Sequence, residues 1–162
     1  MVEQIITWFS GIPNELTIFI ISMLPILELR GGLVAAAILK VDWVVAFPIC
    51  IIGNILPIPF VLFFFNKIID WLKKTKLFGK FAVKMENRVK KKSGKISNAK
   101  FWGLLIFVGL PLPGTGGWTG AMAASFLNMR VKKSAPPIIL GIILAGIIMS
   151  VLTYFIPGLF GF

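Results

Sequence analysis

Two stretches decide how this sequence is read: Pro25-Ile26-Leu27-Glu28-Leu29-Arg30-Gly31-Gly32 and Pro111-Leu112-Pro113-Gly114-Thr115-Gly116-Gly117-Trp118. Each lies in the middle of an apolar block, the first at 15–39 and the second at 101–128; two further blocks run over 43–65 and 134–155. Every block is long enough to supply the ~20 helical residues needed to cross the ~30 Å hydrocarbon layer. Proline removes a backbone donor and clashes with the preceding turn, and clustered glycine weakens a helix further, so the first and third blocks are expected to break in mid-course. Unwound backbone at that depth has to be buried in protein or face a water-filled cavity.

The whole composition agrees with a membrane setting. Of 162 residues, 57% are hydrophobic and 14% charged, with a mean hydropathy of +0.93; soluble domains average about 25% charged residues. Seventeen Lys and Arg against six Asp and Glu leave a net charge of +11. On a soluble protein that excess would suggest nucleic acid, a partner this hydropathy excludes. A single cysteine, Cys50, and no histidine argue against a disulfide framework, zinc, haem and thiol redox chemistry, so no cofactor is expected. An enzyme is not expected either, because no nucleophile, base and orienting group can be recognised together. The opening Met1-Val2-Glu3-Gln4 carries an acidic residue where a secretory signal would be basic, and is read as retained.

Charge sets the topology. The connection 66–100 holds twelve Lys and Arg against Asp70 and Glu86, and the positive-inside rule makes it cytoplasmic. If the third block crossed the membrane, Arg130, Lys132 and Lys133 would lie outside; if it dips in and returns, they join the twelve. The expectation is therefore an all-α integral membrane protein with two re-entrant hairpins and two spanning helices in one membrane domain, 1–162. Repeat 1 covers about 14–65 and repeat 2 about 101–157. The halves echo each other: Leu24-Pro25 precedes Gly31 as Leu110-Pro111 precedes Gly117, and Pro48 with Gly53 matches Pro136 with Gly141. An odd number of crossings between them makes the repeat inverted, the arrangement in which interrupted segments mark a transporter's binding site.

Glu28 is the acidic residue within these apolar blocks and Arg30 the basic one. Neither is expected to face lipid, where an isolated charge costs about 2.5–3.5 kcal/mol on insertion scales. One reading is a salt bridge, or bonds to backbone carbonyls, that pins the first break. The other is functional: Glu28 exchanges protons or holds a cation, while Arg30 binds an anionic head group. The second stretch, with Gly114, Thr115, Gly116, Trp118 and Thr119, offers backbone amides, hydroxyls and the amino end of a half-helix, which suits an anion; alternatively its glycines only let the two breaks touch. Asn54, near Pro57 and Pro59, is a lesser polar candidate. In the basic connection Ile68, Trp71, Leu72, Phe78, Phe81, Ala82, Met85 and Val89 recur at helical spacing, as on an amphipathic helix lying on the anionic cytoplasmic leaflet. Ser97-Asn98 is read as the lead into the second hairpin.

These two stretches resemble the signatures of the small multidrug export protein family of bacteria and archaea, and the likeness covers about residues 14–156. That family resembles in turn the DedA, or VTT-domain, superfamily of membrane proteins built from two re-entrant hairpins and implicated in moving lipids and polyprenyl phosphates. The resemblance implies a multi-pass protein of a prokaryotic cytoplasmic membrane, with Glu28, Arg30, Gly114, Thr115, Gly116 and Trp118 at the site. Unlike the DedA pattern, this chain has no arginine in its second stretch. Two functions follow: a transporter or flippase for an amphiphilic anion such as a lipid or polyprenyl phosphate, coupled to protons through Glu28, or a proton-coupled exporter of small cationic drugs. The expected partners are membrane lipids, protons and a second copy of the chain, since two crossings and two half-depth hairpins can hardly enclose a wide pathway alone.

Overall fold

A computed structural model describes residues 4, 6, 11–73, 93–112, 114–127 and 129–156, without the side chains of 66, 69, 70, 72, 73 and 93–98. The described residues are helical and contain no strand. Seven helices follow in chain order: α1 (Asn14–Met23), α2 (Glu28–Ile38), α3 (Trp43–Ile55), α4 (Ile58–Lys73), α5 (Ser93–Gly109), α6 (Gly117–Phe126) and α7 (Val131–Ser150), the last continuing as a π-helical turn, Val151–Phe155.

The interruptions fall where proline and glycine place them. Between α1 and α2 the chain leaves helical geometry over Leu24-Pro25-Ile26-Leu27, and between α5 and α6 over the prolines and glycines ahead of Gly117. α1 and α2, of 10 and 11 residues, are each only about 15 Å long at 1.5 Å per residue. They lie against one another: a methyl group placed on Gly32 of α2 would meet Ser22 Oγ of α1. α6 packs on α4 and also meets α5, with Gly120 against Val108. By contrast, Trp43–Phe65 and Val131–Phe155 are long enough and apolar enough to cross a membrane, at mean hydropathies of 2.2 and 2.5. The first of these bends at Leu56-Pro57, where Pro57 lacks the N–H that the helix ladder requires.

α7 is the central post, in contact with α2, α3, α4, α5 and α6. Around it Ile18, Ile21, Leu29, Leu33, Ile138 and Ile142 are buried. The outside is apolar too: Val44, Phe60, Phe63, Phe64 and Phe155 are all exposed. Soluble proteins rarely leave so much contiguous apolar surface to water, whereas a bundle surrounded by lipid does. The chain is a membrane protein on this showing.

Two corresponding close approaches tie the halves together internally. Gly53 of α3 sits on the backbone carbonyl of Phe19 in α1, 2.7 Å from where its Cβ would be. Gly141 of α7 sits on the carbonyl of Leu105 in α5 at 2.9 Å. Phe19 and Leu105 are separated by the same 86 residues that separate Leu24 from Leu110, so the matched glycines of the two halves make matched contacts.

Two sequence expectations need adjusting. α4 carries on to Lys73 and α5 begins at Ser93, so Ser97-Asn98 lies inside a helix instead of leading into one, because no proline follows until Pro111. The remainder of the amphipathic reading, Phe78 to Val89, lies outside the described residues.

Candidate functional site

The two interruptions meet, and their polar groups cross over. Glu28 is the first residue of α2 and takes a left-handed backbone conformation, φ +50°, which costs a non-glycine residue about 1–3 kcal/mol. That conformation aims a side chain only 6% exposed across the bundle at the amino end of α6. Its Oε2 accepts the N–H of Gly117 at 3.0 Å and its Oε1 the N–H of Trp118 at 3.1 Å. A carboxylate is suited to this position, because the first N–H groups of a helix have no partner within it and carry its positive end.

Arg30, half a turn further along α2, reaches the turn just before that helix. Nη1 donates to the carbonyl of Leu112, and Nη2 donates to the carbonyl of Leu110 at 3.2 Å and to Thr115 Oγ1 at 2.9 Å. Thr115 Oγ1 in turn lies 2.7 Å from Leu110 O and 2.9 Å from Leu112 O. Around Pro111 these carbonyls leave the helix ladder for shorter-range bonds, from Leu112 N–H to Leu110 O at 2.8 Å and from Thr115 N–H to Leu112 O at 3.2 Å, and their remaining lone pairs take Arg30. Among the described residues Glu28 and Arg30 form no ion pair. Of the structural alternatives raised by the sequence, Arg30 realises the bond to backbone carbonyls, and the salt bridge is not made.

Gly116 is the hinge of the contact. Its φ is +150°, and a Cβ there would fall 2.0 Å from Glu28 Oε2. Asn54, at the end of α3, closes the site from a third side. It is 2% exposed, and its Oδ1 has no hydrogen-bond partner. The crevice between these groups is lined by Glu28, Arg30, Asn54, Gly116 and Gly117 with the apolar Val108, Ile142 and Ala145, and it has no room for a water molecule. The indole Nε1 of Trp118 is likewise buried without a partner.

The structure thus gathers Glu28, Arg30, Asn54, Thr115, Gly116 and the Trp118 amide into one place. Gly114 makes the turn, with φ +81° and open space around it, and the Thr119 hydroxyl bonds back to Gly116 O at 3.3 Å without touching Glu28 or Arg30. The sequence marks the amino end of α6 as a place for an anion; in the structure the group that occupies it is the chain's own Glu28 carboxyl. What sequence reasoning misses are Gly117 and the carbonyls of Leu110 and Leu112. For the carbonyls the signal available is the Pro-x-Pro pair, which strips donors from the backbone around it.

Chemically, the site presents a buried carboxylate held by neutral donors, with the neighbouring cation directed elsewhere. Residues 28–148 match the family model described as "Putative small multi-drug export protein". The chain belongs to this family. The part matched begins at Glu28 itself, just after the first interruption, and runs through the second into α7, so every group described above falls within it. Among curated proteins and among solved structures, nothing matches the chain.

Proposed function

We propose that this member of the small multi-drug export family carries small cationic compounds out across the membrane, with Glu28 holding the compound and a proton in alternation. The observation that carries this reading is the Glu28 carboxyl group: buried, and partnered by the N–H groups of Gly117 and Trp118 and the side chain of Asn54 but paired with no cation. An incoming ammonium or phosphonium group supplies the positive charge that the site lacks, and a proton does the same. The family description favours the same class of cargo. The anionic reading, a lipid or polyprenyl phosphate held by Arg30 and the α6 amides, asks of these donors what Leu110, Leu112, Thr115 and Glu28 already take from them. It has less support, and so has the kinship with DedA proteins.

The membrane arrangement is part of the proposal. α1 with α2, and α5 with α6, are the re-entrant hairpins of an inverted repeat, entering from opposite faces; 66–100 is cytoplasmic; and the working unit is a homodimer in a prokaryotic cytoplasmic membrane. Arms about half as long as the bilayer is thick, each lying against its partner, and the matched contacts of Gly53 and Gly141 support this. Single cysteines at Lys40 and Lys132, in a Cys50→Ala background, test it: an impermeant thiol reagent on intact cells should label Lys40 and spare Lys132. Labelling of Lys132 from outside refutes opposed hairpins.

For the function, the full chain is reconstituted in vesicles with an imposed pH gradient and supplied with ethidium or tetraphenylphosphonium. The wild type should move the cation, and Glu28→Gln, expressed at the same level, should not. A fully active Glu28→Gln overturns the carrier role. Flipping of a fluorescent phosphate lipid that is lost in Arg30→Ala decides for the anionic reading.

A further inference from the structure

Asn54 has a buried oxygen with nothing to accept. Its Oδ1 is enclosed beside Glu28 in a crevice that admits no water, and a buried acceptor left unmade is destabilising. An aliphatic side chain of the same shape would avoid that cost, so the amide invites an explanation in another state of the site. Asn54 Oδ1 lies toward Gly117, 3.5 Å from the position of its absent Cβ, and the Gly117 N–H is the donor to Glu28 Oε2. The Asn54 side chain hydrogen-bonds the Glu28 carboxylate, so the unpartnered Oδ1 belongs to a residue already in contact with that group.

On this basis we propose that Asn54 is the positioning residue for the proton on Glu28, its Oδ1 accepting the hydroxyl of the protonated carboxyl at Oε2. The inference rests on the carrier reading of Glu28 given above. In the charged state the carboxylate holds the amides of Gly117 and Trp118 and a side-chain N–H of Asn54. On protonation a hydronium ion, reaching the site as it opens, gives its proton to Oε2 and leaves as water; the Asn54 amide turns so that its Oδ1 accepts the new hydroxyl, and Gly117 N–H loses its acceptor while Trp118 N–H keeps Oε1. The charged state leaves Asn54 Oδ1 unmet and the protonated state the Gly117 and Asn54 N–H groups, so the amino end of α6 is held less firmly in the second. Besides Asn54, whose side chain already hydrogen-bonds Glu28, α2 brings Arg30, the charged side chain that acts on it, α6 brings amides, and α5 and α7 bring Val108, Ile142 and Ala145.

The test is infrared difference spectroscopy on the full chain in lipid vesicles as pH is stepped, following the carboxylic C=O stretch and assigning Glu28 by the band that Glu28→Gln removes. A carboxylic acid whose hydroxyl donates a hydrogen bond absorbs at a lower wavenumber than a free one. Asn54→Leu should therefore move the Glu28 band upward, and Asn54→Ser, which keeps an oxygen acceptor and serves if the leucine variant does not fold, should move it less. A band at the wild-type position in both variants overturns the role of Asn54 while leaving Glu28 a titrating group. A wild-type spectrum with no band removed by Glu28→Gln overturns the carrier reading itself, and this inference with it.

Discussion

Gly116→Ala isolates the contact on which the site depends. A Cβ at this position would stand 2.0 Å from Glu28 Oε2, 2.6 Å from its Cδ and 2.8 Å from Oε1. Contacts so short force a displacement, and the movable party is the end of the Glu28 side chain. Moving it breaks the bonds from Gly117 and Trp118, each worth about 1.5–3 kcal/mol when the acceptor is charged. The backbone at φ +150° adds about 1–3 kcal/mol for a residue with a Cβ. A loss of about 4 kcal/mol or more is expected, and at ~2–4 °C per kcal/mol for a chain of this size the midpoint of thermal unfolding in detergent should fall by roughly 10 °C. Two other glycines calibrate the measurement. Gly103→Ala meets nothing within 4 Å in α5 and should be neutral or slightly stabilising. Gly114→Ala also meets nothing but sits at φ +81°, so it should cost only about 1 kcal/mol. In a Glu28→Ala background the Gly116→Ala effect should shrink to its backbone part, because the partner of the clash is gone. A Gly116→Ala protein that melts within about 2 °C of wild type would refute the assignment of Glu28 to the amino end of α6.

Arg30→Ala removes the donors to Leu110 O, Leu112 O and Thr115; it should destabilise by about 2–3 kcal/mol and speed hydrogen exchange at the amides around the second interruption, with Arg30→Lys recovering only part. Gly32→Ala drives a methyl to 1.9 Å from Ser22 Oγ and 3.0 Å from Cys50 Sγ; a cost of roughly 2 kcal/mol is expected in thermal unfolding, and Ser22→Ala should relieve most of it. Tyr154→Phe loses the bond from its hydroxyl to Val41 O at 2.9 Å, so a decrease of about 1 kcal/mol with unchanged cation transport is expected.

The positions of the interruptions are legible because their causes are local. A proline lacks a donor wherever it stands, so Pro25 and Pro111 foretell loss of helix without reference to the rest of the chain. The spanning segments are legible for a similar reason: 43–65 and 134–155 lack a strong breaker apart from prolines near their ends or at a bend, and Trp43–Phe65 and Val131–Phe155 follow. Glu28, Arg30 and Asn54 stand out as polar groups in apolar surroundings. Their partners do not. Glu28 bonds to residues 89 and 90 positions away and Arg30 to residues 80 to 85 away, and most of the groups they find are backbone N–H and C=O, which every residue possesses. Periodicity carries no information about which of them an unwound turn will leave free. The boundary of α5 was hidden for the opposite reason: Ser97 and Asn98 favour caps and turns on average, yet nothing in that stretch prevents helix from continuing through them.

The matched halves therefore have unequal chemistry at their centres. The first interruption brings side-chain charges and little else; the second brings the backbone, an amino end of a helix for the carboxylate and uncoiled carbonyls for the guanidinium. Each kind of group would be costly at that depth alone, a carboxylate without donors as much as a helix end without an acceptor. Joined, they satisfy each other without an ion pair, and that difference matters for transport. A carboxylate locked to an arginine gives up a proton or cation site at the cost of stranding a second charge. On the carrier reading proposed above, one held by neutral donors can exchange them for a cargo while Arg30, bonded to the turn around Leu110 and Leu112, goes on holding the second interruption in place.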